Sequence, residues 1–384
     1  MMKKIFSSLI MILLLVCLSG NVFAKDTHTA TSNINGVTVN WEYEINEGNQ
    51  IENLKCTNPT DLTGNITIPS TLDGKTVISI GNNAFKGATN ITGISMTDSV
   101  KKIGINAFKD CTKLSSVNLG KVKEFAGNGI FANCTSLKTL VIPKTLTKGY
   151  IYSEGAFSGC TSLTNVTFED GITKIPEGIL MDATTITKVI IPSSVTQIGS
   201  HAFAKSGLTE ITIPNKATEI GISAFEETKL VEIQIPSSVK HIGVSAFKNC
   251  SKLVKAVILD NVEKIGYYDT PTDNNDVFTN NNSDLTIYCY KNSDAAEYAI
   301  KNNIKYVYLT KPTADSDTDK DKEEQKPTNT PSTNQESTNK DDTTIAAGKL
   351  PQTGVQATTL FALLIISLVS IIFYIKYRKF RDVK

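Results

Sequence analysis

The stretch Thr184-Thr-Ile-Thr-Lys-Val-Ile-Ile-Pro-Ser-Ser-Val-Thr-Gln-Ile-Gly-Ser-His-Ala-Phe203 is one copy of a pattern that the chain repeats. The next copy has Leu208, Ile211, Ile213, Pro214, Ile220, Gly221, Ala224 and Phe225 at matching places. The one after it has Leu230, Ile233, Ile235, Pro236, Val239, Ile242, Gly243, Ala246 and Phe247. Measured on the closing aromatic, the series runs Phe85, Phe108, Phe131, Phe157, Leu180, Phe203, Phe225, Phe247, Phe278, in steps of 23, 23, 26, 23, 23, 22, 22 and 31 residues. A fixed period in this range marks a solenoid. Within a copy, Leu208-x-x-Ile211-x-Ile213 alternates like a short strand with one face inward, and Pro214 ends it because Pro cannot donate to the next ladder. Ile220-Gly221 is expected to turn the chain, Gly supplying backbone angles that other residues avoid. Ala224-Phe225 then sends a large ring back under the strand.

One copy cannot fold alone. Its five or six apolar side chains are worth roughly 10 kcal/mol gross, whereas ordering twenty-odd residues costs on the order of 30 kcal/mol. Stacked neighbours complete each other's core, so the fold expected is a mainly β repeat solenoid with parallel short strands, capped at both ends. The array is placed at 63–282.

These residues resemble the BspA-like (Treponema-type) leucine-rich repeat family, with its pattern Leu-x-x-Ile-x-Ile-Pro-x-x-Val-x-x-Ile-Gly-x-x-Ala-Phe-x-x-Cys. The likeness covers roughly residues 60–305. It implies a secreted or surface-attached protein of a bacterium or a parasitic protist, several members of the family resembling adhesins.

The two ends of the chain carry their own signals. Lys3-Lys4, the apolar run Ile5–Leu18 and Val22-Phe23-Ala24 read as a secretory signal peptide over 1–24. Cys17 raises a lipoprotein alternative, but Val16 stands where that processing needs a small residue. Val37–Ile45 alternates at period two around Trp41 and begins an N-terminal region and cap over 25–62, with Trp41 read as a lid on the open core end. At the other end, Leu285–Tyr290 is a strand and Ser293–Asn303 a capped helix with an apolar stripe at Ala295, Ala296, Ala299 and Ile300. Ile304–Leu309 returns as a strand, and residues 283–310 form the C-terminal cap.

Residues 311–349 hold almost nothing apolar before Ile345 and read as a disordered linker. Leu350-Pro351-Gln352-Thr353-Gly354 follows, then the apolar run Ala357–Ile375 and the basic tail Lys376, Arg378, Lys379, Arg381. Nineteen apolar or small residues span a bilayer, with the basic end cytoplasmic. The assembly over 350–384 resembles the LPxTG sorting signal of Gram-positive surface proteins. That resemblance implies sortase cleavage between Thr353 and Gly354 and covalent transfer of Thr353 to peptidoglycan, with membrane residence only as a precursor. Leu350 would fill an apolar pocket of the enzyme, Pro351 would kink the peptide into its groove, and Gln352 takes the variable place.

Catalytic chemistry finds no foothold. The chain has 39 basic and 38 acidic side chains, a balance that gives no reason to expect nucleic acid. His28, His201 and His241 are scattered, no Ser/His/Asp set assembles, and no cofactor or metal site is indicated. The insertion Tyr267–Asp276 is rich in Asp and Asn but lacks calcium-loop spacing and reads as a solvated loop. Cys111, Cys134, Cys160 and Cys250 share one repeat position and read as buried free thiols. Cys56 and Cys289, one in each cap, are too far apart to bridge.

Alternation also predicts which residues line the concave face. Its middle row is Thr67, Ser95, Asn118, Val141, Thr167, Ile190, Thr212, Gln234, Val257 and Thr286. A row beside it includes Asn165, Lys188, Glu210, Glu232 and Lys255, with Tyr288 and Tyr290 near the C-terminal end. Glu210 and Glu232 are read as a solvated pair flanked by the two lysines. The candidate ligand-binding residues are Lys188, Ile190, Glu210, Thr212, Glu232, Gln234, Lys255, Tyr288 and Tyr290. A mildly polar, partly aliphatic strip with few aromatics suits a protein ligand, a host protein among the options. The leading expectation is therefore a non-enzymatic, wall-anchored surface protein of a Gram-positive bacterium. The alternatives are a structural wall component without a specific ligand and an exported enzyme.

Overall fold

The structure, a computed structural model, describes residues 26–150, 153–267 and 276–310. The expected signal peptide, linker, sorting signal and most of the insertion after Tyr267 lie outside the described residues. No described helix is long and apolar enough to cross a membrane.

Each turn of the array contributes to two ladders of short parallel strands. The first contains Gly64–Thr67, Ile91–Ser95 and Ser116–Asn118, then Thr139–Ile142 with Asn165–Phe168, and finally Glu232–Ile235, Lys255–Ile258, Thr286–Tyr290 and Lys305–Leu309. Along Glu232–Ile235, exposed and buried residues alternate, as period-two patterning requires. The second ladder uses Ser79–Ile80, Lys102–Ile103 and Glu124–Phe125, then Lys174–Ile175, Gln197–Ile198, Glu219–Ile220, His241–Gly243 and Lys264–Tyr267. The sequence reading took Ile220-Gly221 for a plain turn, yet Ile220 is a strand residue paired with Ile198 and Ile242. Two residues per turn are too few to show alternation, which is why this ladder was not legible.

The glycine that follows also has a different role from the one expected. Gly221 is not in the left-handed region. A Cβ there would lie 2.5 Å from the Ser200 nitrogen, and one at Gly243 would lie 2.5 Å from the Ile222 nitrogen. Glycine is needed because successive turns approach backbone to backbone. The left-handed residue comes two positions later, at His201, Ser223 and Ser245, with φ of 55°, 51° and 58°.

Phenylalanines run through the core as a stack. Phe85, Phe108, Phe131 and Phe157 lie nearly parallel at centroid spacings of 5.1, 5.1 and 5.5 Å. Beyond buried Leu180, Phe203, Phe225, Phe247 and Phe278 continue at 5.3, 5.3 and 5.2 Å. The amide N–H of Phe203 donates to the Ala224 carbonyl at 2.9 Å, and that of Phe225 to Ala246 at 2.8 Å, so main-chain bonds tie the ring-bearing corners together.

An aromatic edge closes the stack at each end. β1 (Thr27–Ile34), β2 (Val37–Ile45) and β3 (Ile51–Cys56) form an antiparallel meander, joined to the second ladder through Leu54 and Ile80. Trp41 is buried and meets Phe85 edge-on at 6.0 Å, its indole N–H donating to Ser32 Oγ at 2.8 Å. At the other end α1 (Asp294–Lys301) begins at Ser293, whose hydroxyl accepts from the Ala296 N–H. Tyr298 meets Phe278 edge-on at 6.0 Å, and its hydroxyl accepts from the Phe278 N–H at 3.2 Å. The apolar stripe of this helix differs from expectation: Ile300 is 56 % exposed, and Tyr298 takes the inward place.

Cys56, Cys111, Cys134, Cys160, Cys250 and Cys289 are all buried free thiols. In the array each thiol donates to the preceding turn's Phe carbonyl: Cys111 to Phe85, Cys134 to Phe108, Cys160 to Phe131 and Cys250 to Phe225, at 3.1–3.2 Å. The repeat position therefore selects a small side chain with one weak donor.

Candidate functional site

The outward residues of the first ladder form columns along the array. Strand register fixes its middle column: Thr67 beside Ser95 and Asn118, Val141 beside Thr167, and Gln234 beside Val257. Val257 pairs next with Tyr288, which pairs with Val307. Thr286 belongs instead to the flanking column, opposite Lys255. The sequence reading placed Thr286 in the middle row because it assumed an unshifted offset from the insertion.

Between Asn165–Phe168 and Glu232–Ile235 this ladder narrows. Among the described residues, its strand pairing there is the single bridge Lys188 to Glu210. A groove of about 650 Å³ opens at this point, lined by Lys188, Ile190, Glu210, Thr212, Val231, Glu232, Gln234, Lys255 and Val257 among others. Seven of the nine predicted ligand-binding residues thus come together. Tyr288 adjoins them, its ring 5.7 Å from the Lys255 ammonium, whereas Tyr290 lies two residues further along its strand, opposite Leu309. Val231, 45 % exposed at the rim, was not anticipated, since it follows a core leucine and breaks the polar alternation.

The electrostatics of the groove are balanced. Lys188 contacts Glu210 at 2.6 Å, and Lys255 contacts Glu232 at 3.2 Å. Each glutamate therefore has its own cation, and the two do not form an acid–base couple. Exposed pairs of this kind contribute about 0–1 kcal/mol. Ile190 is 77 % exposed amid these charges. The arrangement offers an apolar contact with polar and charged rims, which suits recognition rather than proton transfer.

The histidines remain dispersed. His28 stacks on Tyr43 at 5.6 Å in the N-terminal cap. His201 is held below its ordinary pKa by burial. No cluster of three His, Cys, Asp or Glu among the described residues could hold a metal ion.

Parallel two-ladder turns, a stacked aromatic core and an outward face free of core duties define a leucine-rich repeat solenoid, a fold typical of non-enzymatic repeat proteins. The BspA-type leucine-rich repeat pattern matches residues 50–184 and 173–296, in 6 copies, and the chain belongs to that family. It is similar to a leucine-rich repeat protein from Eubacterium ventriosum, at 21 % identity over 73 % of this chain and 85 % of the other, with a TM-score of 0.38. A T. pallidum leucine-rich repeat protein shares 23 % identity over 57 % of this chain and 83 % of its own, with a TM-score of 0.32. A leucine-rich cell surface protein from Faecalibacterium prausnitzii shares 20 % identity over 70 % and 97 %, with a TM-score of 0.31. No curated protein matches the chain.

Proposed function

We propose that this chain is an exported, wall-attached surface protein whose first-ladder groove binds a protein ligand. The observation that carries the reading is Ile190, a large aliphatic side chain 77 % exposed where the ladder opens. Leaving it in water stabilises nothing in the array, so a partner surface is its natural cover. Lys188, Glu210, Glu232 and Lys255 would fix the partner's orientation, with Thr212, Gln234, Tyr288 and Tyr290 extending the contact. Attachment rests on the sequence between Leu350 and Gly354, where sortase would join Thr353 to peptidoglycan.

The test is saturable binding of the full chain to extracellular-matrix proteins and to intact cells. An Ile190→Asp variant is expected to lose binding at least about tenfold with an unchanged melting curve, an apolar anchor being worth about 1.5–3 kcal/mol. Equal binding by parent and variant refutes the groove as the site. A parent that binds nothing refutes the ligand reading in favour of a structural wall component.

A further inference from the structure

The second ladder carries an unexplained charge pattern. One of its outward columns holds Thr173, Thr196 and Thr218, with the hydroxyls of Thr196 and Thr218 each donating at 3.1 Å to the carbonyl one turn earlier. The same repeat position in the earlier turns holds Lys101, Lys123 and Thr147, linked by main-chain bonds: Lys123 N–H donates to the Lys101 carbonyl, and Thr147 N–H to that of Lys123. The neighbouring column brings Lys102 and Lys148 to either side of Glu124. The four lysines line a groove of about 410 Å³, together with Asn53, Ser79 and Thr147, and its acids are Glu52 and Glu124.

The lysines are incompletely matched. Lys102 lies 3.8 Å from Glu124. Lys101 donates to the Asp98 carbonyl, while the Asp98 carboxylate is held by Lys121 at 2.6 Å. Among the described residues, Lys123 and Lys148 have no carboxylate within ion-pair distance. Like charges stacked one strand apart are destabilising. Threonine serves this column at Thr147, Thr173, Thr196 and Thr218, and where lysine returns, at Lys240, Glu263 matches it at 2.9 Å, so stability does not account for the unmatched lysines.

We propose that this groove binds a linear polyanion through Lys101, Lys102, Lys123 and Lys148. The backbones of Lys101 and Lys123 lie one turn apart, about 4.8 Å, with Lys102 and Lys148 in the neighbouring column, so the four charges spread along the array where an extended anionic chain can follow them. Every cation in the groove is lysine, a compact point charge that can engage a row of anionic groups without bidentate geometry. The lining also holds no aromatic ring on which a nucleobase would stack. The groove therefore reads charge along a backbone and not bases.

The experiment measures binding of poly(glycerol phosphate) to the purified full-length chain as a function of salt. Four contacts predict a slope of log affinity on log salt near about −3, and Lys101→Thr with Lys123→Thr should reduce its magnitude by about 1.4. That double variant substitutes the residue the array itself uses in this column, so its melting curve should match the parent. Glu124→Gln should tighten binding, a change that misfolding cannot mimic. Salt-insensitive binding, or a double variant that binds like the parent, overturns the proposal. Oligothymidylate binding more tightly than poly(glycerol phosphate) of equal charge overturns the reading of charge alone in favour of base recognition, and comparable binding of hyaluronate at equal charge supports that reading of charge.

Discussion

Replacing Phe203 by Ala should destabilise the array more than its single side chain suggests. The ring is fully buried, stacked on Phe225 at 5.3 Å on one side and bounded by buried Leu180 on the other. Truncating a buried Phe costs about 3–5 kcal/mol in transfer and cavity terms, and the lost stacking adds about 0.5–1.5 kcal/mol. For a unit of this size each kcal/mol moves the melting temperature by about 2–4 °C, so a fall of about 10 °C or more is expected. The cavity lies mid-array, where nearest-neighbour coupling joins the two halves, so the transition should also broaden. Phe203→Leu is the control, because the preceding turn already uses Leu180 in this place. It should cost less than about 1.5 kcal/mol plus the stacking term. Thermal and urea denaturation followed by circular dichroism measures both. An alanine variant that melts with the parent, or a leucine variant as damaged as the alanine one, would refute the shared-core account.

Two further predictions concern other parts of the chain. Thr353→Ala is expected to move the protein from the wall fraction to membrane and medium, and equal wall linkage in parent and variant counts against the sortase reading. Burial raises the Cys56 thiol from about 9 to about 11 and also raises Cys250. Unfolded thiols ionise near their ordinary value while these folded ones do not. The stabilisation is therefore complete below about pH 9 and lost as pH climbs toward about 11, which a pH series of melting curves with a thiol reagent would detect.

What the sequence made legible follows from what repeats. Leu230, Ile233, Ile235, Val239, Ile242 and Phe247 are read correctly as core because every turn must satisfy the same neighbours above and below. The period also exposed most of the outward groove, since alternation assigns Ile190, Thr212 and Gln234 to one face once Ile191, Ile213 and Ile235 are inside. It failed where an element is too short or stands alone. A two-residue strand such as Glu219–Ile220 shows no alternation. Gly221 looks the same whether it is selected for backbone angle or for close approach, and only the inter-turn distance separates the two. Tyr298 was missed because a one-off helix has no second copy to compare, and its aromatic ring broke the alanine stripe that pattern reading favours. The Thr286 offset failed for a related reason, a 31-residue step leaving the register of the following strand unfixed.

The same logic indicates where function resides in a solenoid. Core columns are held nearly constant by packing, so a departure there signals a local repair, as Leu180 does among phenylalanines. Outward columns carry no such constraint, and a departure there that also works against stability needs a cause outside the array. Two such departures stand out: Ile190, 77 % exposed and larger than the valines, threonines and amides of its column, and the adjacent lysines Lys101 and Lys123 in a column mostly of threonine. They lie on different ladders and different turns and share no contact residue. Sites that share no partners are energetically independent to within a few tenths of a kcal/mol. Ile190→Asp should therefore leave polyanion binding intact, and Lys101→Thr with Lys123→Thr should leave protein binding intact. A protein in this configuration can hold an anionic polymer with one ladder while the other remains open to its partner.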